Sequence, residues 1–143
     1  MFIGEFSHTL DDKGRVAVPK KFRSALESGV VVTRGLDRCL FVYTALEWQK
    51  LAEKLSVLPF AQADARAFAR LMLAGAMDTE VDKQGRMMLP EYLRRFAGLG
   101  KEVVVAGLYN RLEVWNKTDW EAYKQKTENE SVNIAERLAE LGV

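Results

Sequence analysis

Two stretches of this chain place an aspartate, a glycine and an arginine at identical spacing: Asp11-x-x-Gly14-Arg15 and Asp82-x-x-Gly85-Arg86. Each is followed by a short apolar-rich run and a proline, Pro19 or Pro90. The chemistry open to such a set is recognition. An aspartate at the start of a turn accepts hydrogen bonds from backbone N–H groups just downstream, and glycine suits the left-handed position that closes a type I turn with a bulge. An arginine leaving that turn beside the carboxylate offers a planar fork of donors matched to phosphate or to the O6/N7 edge of guanine. The bland alternative is a turn in which arginine and aspartate merely pair. Exposed pairs contribute only about 0–1 kcal/mol, a weak reason to place the same arginine twice. The sequence therefore assigns DNA contact to Lys13, Arg15, Lys20, Lys83 and Arg86, and orientation of the arginines to Asp11 and Asp82. The first copy leads, because Lys13, Lys20 and Lys21 stand where the second has Gln84, Glu91 and Tyr92.

Other chemistry lacks an assembled set of groups. His8 is the sole histidine and shares its strand parity with Phe6 and Leu10, which points to a buried or interface-lining imidazole. The single Cys39 has no partner for a disulfide or a zinc site. No P-loop, no Gly-x-Gly-x-x-Gly and no Gly-x-Ser-x-Gly occurs. The expectation is a protein that is not an enzyme, with no catalytic residue, metal, cofactor or small-molecule substrate. Tyr43, Trp48, Phe68, Trp115 and Trp120 fall on predicted strands and helix faces without basic interleaving, so they read as core or subunit interface.

The elements that must hold the two motifs also come in duplicate. Val31–Leu36 reads against Val103–Leu108, Leu40–Tyr43 against Leu112–Trp115, and Trp48 against Trp120. Around the first motif, alternation predicts a half-buried strand through Leu10 and a return strand over 15–18 with Val16 and Val18 inward. Pro19 suits the first turn of a helix over 20–28 that stops at Gly29. Thr44 with Glu47, and Asn116 with Asp119, read as helix N-termini. Each half is thus β-β-α-β-β-α. Phe68, Leu71, Met72 and Gly75 follow helical spacing in a connecting helix over 60–76. The boundaries expected are a first repeat over 1–58, a connection over 59–76, a second repeat over 77–123, and a polar, frayed tail with a C-terminal helix over 124–143. All lie within one structural domain, because halves this small share a core.

Composition agrees with a soluble globular chain, at 48% hydrophobic and 29% charged residues. No apolar run approaches the roughly 20 residues of a membrane span, and the N-terminus lacks a signal-peptide pattern, so the location expected is cytoplasmic, and the DNA contact read above would make it nucleoid-associated. The net charge of +1 conceals an asymmetry: residues 1–72 hold 11 Lys and Arg against 8 Asp and Glu, whereas residues 73–143 hold 10 against 12. A near-neutral chain can still bind DNA by presenting its basic patch, Lys13, Arg15, Lys20, Lys21 and Arg23, in several copies, which requires an oligomer.

These residues carry a resemblance. Met1-Phe2-x-Gly4, Leu10-Asp11-x-Lys13-Gly14-Arg15-Val16-x-Val18-Pro19, Arg70-Leu71, Asp82-x-x-Gly85-Arg86 and Lys101–Trp115 together resemble the bacterial MraZ family. The similarity covers about residues 1–120. It implies an α+β fold in which two AbrB-like halves form one pseudo-twofold swapped-hairpin β-barrel with surrounding helices. It further implies a ring-shaped homo-oligomer and a transcriptional regulator, a repressor of the division and cell-wall gene cluster, that binds short direct repeats in double-stranded DNA. The family's Asp-x-x-x-Arg motif falls on Asp11 with Arg15 and on Asp82 with Arg86. An oligomeric protein-interaction module resembling AbrB-like antitoxins is the alternative. RNA ranks below both, since no aromatic single-strand platform is apparent.

Overall fold

The computed structural model describes residues 1–143. Strands β1 (Phe2–Thr9) and β2 (Arg15–Ala17) flank the first motif, and β3 (Val30–Arg34) and β4 (Leu40–Thr44) form a hairpin before helix α1 (Ala45–Ser56). After α2 (Ala63–Ala69), the second half supplies β5 (Met77–Thr79), β6 (Arg86–Met88), α3 (Glu91–Phe96), β7 (Glu102–Tyr109), β8 (Leu112–Asn116) and α4 (Lys117–Asn129). Helix α5 (Ser131–Arg137) and a final 3-10 turn (Ala139–Leu141) close the chain.

The two halves interlock through their strands. The main sheet is antiparallel with order β1-β7-β8-β4-β3-β5, so each half's opening strand pairs with the other half's third strand. The short strands β2 and β6 pair with each other in a separate ladder, centred on Val16 opposite Met87. The halves meet again where Phe41 of β4 lies opposite Glu113 of β8. A pseudo-twofold axis runs through these two pairs. The main sheet is not closed, since β1 and β5 remain its edges and β2 and β6 stand apart from it. The hydrogen-bonded architecture is therefore an open sheet with a two-stranded ribbon packed on one face, not a continuous barrel.

Both faces of the central strands are covered, which is why they read as nearly unbroken apolar runs. Val30, Val32, Leu40, Val42, Val103, Val105, Leu112 and Val114 turn to one core, completed by Val16, Val18, Met87, Leu89, Phe22, Leu26 and Leu93. Phe41, Tyr43 and Trp115 turn to a smaller outer cluster with Leu55 and Met72, against which Trp48 and Trp120 pack. The pairing corrects the repeat register by one residue. Val30 pairs with Thr44 as Val103 pairs with Asn116, so Val30 and Val32 are the counterparts of Val103 and Val105, and the extra residue lies in the β3–β4 turn.

Two predicted helices, and the start of the predicted tail, differ in form. Residues 20–28 make two 3-10 turns, Lys20–Phe22 and Ser24–Leu26, instead of one helix. Two lysines at its start oppose the helix dipole, whereas Glu91 in the same place favours the α-helical α3. The connecting helix is regular only over Ala63–Ala69 and then widens into a π turn over Arg70–Ala74. The wider turn shifts the phase of the buried stripe. Met72 is buried and its carbonyl accepts from the Thr33 hydroxyl at 2.6 Å, while Phe68 stays partly exposed. The polar stretch 124–129 continues α4 without interruption. No helix is long and apolar enough to cross a membrane.

Candidate nucleic-acid interface

The two motif turns have the same local geometry, built by the aspartate. Asp11 Oδ1 accepts from the backbone N–H groups of Lys13 and Arg15, each at 2.9 Å, and Asp82 Oδ1 accepts from those of Gln84 and Arg86 at the same distance. Gly14 and Gly85 adopt φ of 79° and 78°, left-handed values that side chains rarely tolerate. With Oδ1 committed to the turn, Oδ2 is left for the arginine. Arg15 Nε donates to Asp11 Oδ2 at 2.6 Å, and Arg86 Nε to Asp82 Oδ2 at 3.1 Å. Each aspartate thus shapes its turn and aims its guanidinium.

The β2–β6 ribbon sets the turns side by side. The N–H of Val18 donates to the Gly85 carbonyl at 2.8 Å, and that of Leu89 to the Gly14 carbonyl at 2.9 Å, so each turn is stitched to the other half's return strand. The second arginine reaches across the junction, with Arg86 Nη1 3.7 Å from Asp11 Oδ2. Arg15 and Arg86 are half-buried along their stems, with side chains 28% and 29% exposed. Their Nε positions are tethered, which leaves the outer fork of Arg15 without a protein acceptor.

Backbone N–H donors and the adjacent guanidinium favour the ionised carboxylates. Asp11 is held down to about 2, chiefly by the Arg15 backbone N–H, and Asp82 is lowered by the equivalent bond from Arg86. Both aspartates are therefore charged throughout the physiological range. His8 of β1, opposite Val103 of β7, has its pKa lowered by burial and, secondarily, by the charge of Arg23, which favours the neutral imidazole.

The structure brings together Asp11, Arg15, Asp82 and Arg86 from the sequence-derived set. Lys13 and Lys83 are exposed within the turns themselves, and Lys20 is exposed just after Pro19. Lys21 separates from this group: its Nζ folds back over the Phe6 ring, 5.1 Å from the centroid. Glu91, which made the second copy look acidic, is occupied by Arg95 at 2.8 Å.

The sequence places Arg23 in the basic patch without assigning it a contact, and does not single out Arg94 at all. Arg23 Nε donates to the Val18 carbonyl at 3.0 Å, and Arg94 Nε to the Leu89 carbonyl at 2.8 Å. These pairs are related by the repeat, and the signal that could have found them was that Arg23 and Arg94 fall four residues after Pro19 and Pro90 alike.

Over residues 1–71, and again over 72–141, the chain matches the family described as "MraZ protein, putative antitoxin-like". It is 50% identical over its whole length, and over 100% of the relative, to "Transcriptional regulator MraZ" of Natranaerobius thermophilus. To the protein of the same name from Pediococcus pentosaceus it is 51% identical, again over 100% of both chains. A solution structure of PHS018 from Pyrococcus horikoshii aligns with 80% of this chain and 88% of its own at 14% identity and a TM-score of 0.33, too slight a likeness to argue from.

Proposed function

The chain belongs to the MraZ family of transcriptional regulators, not to an enzyme family, and from that premise we propose that it binds double-stranded DNA through the paired turns at Asp11–Arg15 and Asp82–Arg86. The observation that carries this reading is the tethered guanidinium. Arg15 is fixed through Nε by Asp11 while its outer nitrogens stay free, so little side-chain freedom remains to be lost when it meets a phosphate or a guanine edge. Lys13, Lys20 and Lys83 add phosphate contacts, and Asp11 and Asp82 orient. Arg15 is the principal contact and Arg86 the auxiliary one, because Arg86 is drawn toward two carboxylates at once.

The same reading takes the exchange of β1 and β5 between halves as the swapped-hairpin arrangement of AbrB-like proteins, supported by the reciprocal β1–β7 and β5–β3 pairing. It takes the working form as a homo-oligomeric ring in which neighbouring copies meet successive direct repeats upstream of the division and cell-wall genes, acting as a repressor. Exposed apolar residues on the rim of the sheet, Ile3 and Tyr109 among them, are consistent with contact between copies. Multiple weak contacts would then sum by avidity.

Binding to the DNA upstream of the chain's own gene, measured by mobility shift, tests the reading. Arg15→Ala should abolish or greatly weaken specific binding while leaving melting temperature and oligomer size nearly unchanged. Retained specific binding by Arg15→Ala would show the motif to be a structural turn. The second reading, capture of a partner protein, is favoured by α5, which buries none of its residues and exposes Val132. A chain ending at Asn129 that still binds DNA as the full chain does would leave that helix free for such a role.

A further inference from the structure

Arg23 and Arg94 are each mounted on the turn of the opposite half. A Cβ placed on Gly14 would come 2.6 Å from Arg94 Nε and 2.7 Å from its Cζ, so the guanidinium lies flat against the glycine, in space that any side chain would fill. Arg23 lies against Gly85 in the same way, with Nη1 2.7 Å from the position of such an atom. The glycines of the two motifs therefore have a second role beyond their left-handed φ: they are the seats of these arginines.

Both are held through Nε by a backbone carbonyl, as Arg15 and Arg86 are held through Nε by a carboxylate. Neither Arg23 nor Arg94 forms an ion pair, although Asp12 is exposed within the turn on which Arg94 rests. A guanidinium with one tethered N–H, no counter-ion and partial exposure is an anion site prepared in advance. With the two carboxylate-paired arginines, four guanidiniums tethered through Nε lie on two adjoining turns: Arg15 and Arg94 on the first, Arg86 and Arg23 on the second.

Resting on the DNA-binding reading above, we infer that Arg23 and Arg94 contact backbone phosphates beside the bases met by Arg15 and Arg86, each arginine serving the turn of the other half. Every recognition edge is then composite, with its base-facing arginine from one half and its phosphate-facing arginine from the other. Phosphate contact fits these two because their anchors are carbonyls at the base of the turns, with no carboxylate aiming them as Asp11 aims Arg15.

The test uses the full chain with Arg23→Met and Arg94→Met, which keep an unbranched stem over the glycine and remove the charge. Affinity for the chain's own upstream DNA is measured across a salt series, alongside an unrelated duplex of equal length. Each variant should weaken binding to both duplexes about equally, by roughly tenfold, and reduce the slope of log affinity against log salt by about 0.9 for each phosphate no longer neutralised. Arg15→Ala should instead lose the preference for the upstream DNA. Wild-type slope and affinity in both Met variants, with Arg15→Ala still defective, would overturn this inference and leave the functional reading standing. Failure of the wild-type chain to bind the upstream DNA would overturn both. If either variant proves less stable, Arg23→Lys and Arg94→Lys keep the charge, and restoration of the salt slope by lysine separates phosphate contact from a purely structural role, which lysine would not restore in the slope.

Discussion

Asp11 Oδ2 lies 2.6 Å from Nε of Arg15 and 3.7 Å from Nη1 of Arg86, so one carboxylate of the first half holds arginines from both halves. Asp82 engages only its own arginine, at 3.1 Å. The repeat is thus symmetric in backbone and asymmetric in charge.

That asymmetry ranks the two carboxylates. Asp11→Asn retains an oxygen for the turn but loses its hold on two guanidiniums, whereas Asp82→Asn loosens one. Asp11→Asn should reduce DNA affinity by about tenfold, as expected for loss of one or more charge-assisted hydrogen bonds, and Asp82→Asn by less. Fluorescence anisotropy at fixed salt measures both, and equal losses would contradict the shared role of Asp11.

Acid should dismantle the turns late. The Asp11 carboxyl is lowered in the folded chain from its ordinary 3.8 to about 2, so its contribution to stability is complete above about pH 4 and is lost as pH falls through about 2. Asp82 is shifted the same way. Carboxyl resonances followed by NMR should show Asp11 titrating near the low end. In Arg15→Ala the midpoint should rise only part of the way, because backbone N–H donors are the largest cause of the shift.

Glu113 is the charged residue on the pseudo-twofold axis, opposite Phe41, and its side chain is 9% exposed. Its Oε1 accepts from Trp115 Nε1 at 3.0 Å and its Oε2 from Arg111 at 3.0–3.1 Å, while the Arg111 guanidinium lies 4.6 Å from the Phe41 ring centroid. Glu113→Ala leaves both donors without their acceptor and should cost about 2–3 kcal/mol, measured by urea denaturation. A changed Trp115 emission in the folded state would accompany it.

Gly107 faces Gly4 across the β1–β7 ladder, and a Cβ there would come 2.6 Å from the backbone N of Ile3. Gly107→Ala should push the start of β1 off the sheet and cost about 1–3 kcal/mol, as overpacking does. Hydrogen exchange should report it as weakened protection at the amides of β1 that bond to β7, with the β3–β4 hairpin unaffected.

Where local chemistry decides conformation, the residues were readable in advance. Asp11 and Asp82 make the predicted turns, Val16 and Val18 point inward, and Thr44 and Asn116 accept from Glu47 and Asp119 N–H groups at 3.1 Å. What sequence could not supply was tertiary. The π turn at Arg70–Ala74 follows from docking Met72 beneath Thr33, a contact between distant segments. The open sheet likewise depends on how far β2 and β6 lie from the main ladder, which pattern alone does not encode. Arg94, and the seating of Arg23 on Gly85, were not legible because a glycine whose missing side chain seats an arginine from elsewhere looks, in sequence, like any turn glycine. The one-residue register error in β3 arose because Val30, Val31 and Val32 are interchangeable by type and separable only by which face they bury.

The reciprocal strand pairing also bears on synthesis. As the chain leaves the ribosome, β1 has no partner until Glu102–Tyr109 has emerged, and its first turn lacks Arg94 until α3 is made. Contacts closed over such distances form late and slowly. A prematurely terminated product therefore carries a complete first motif in its sequence yet cannot assemble the surface that motif belongs to. The two turns therefore come together only after Arg94 and the strand Glu102–Tyr109 are available, and not stepwise as each motif is made.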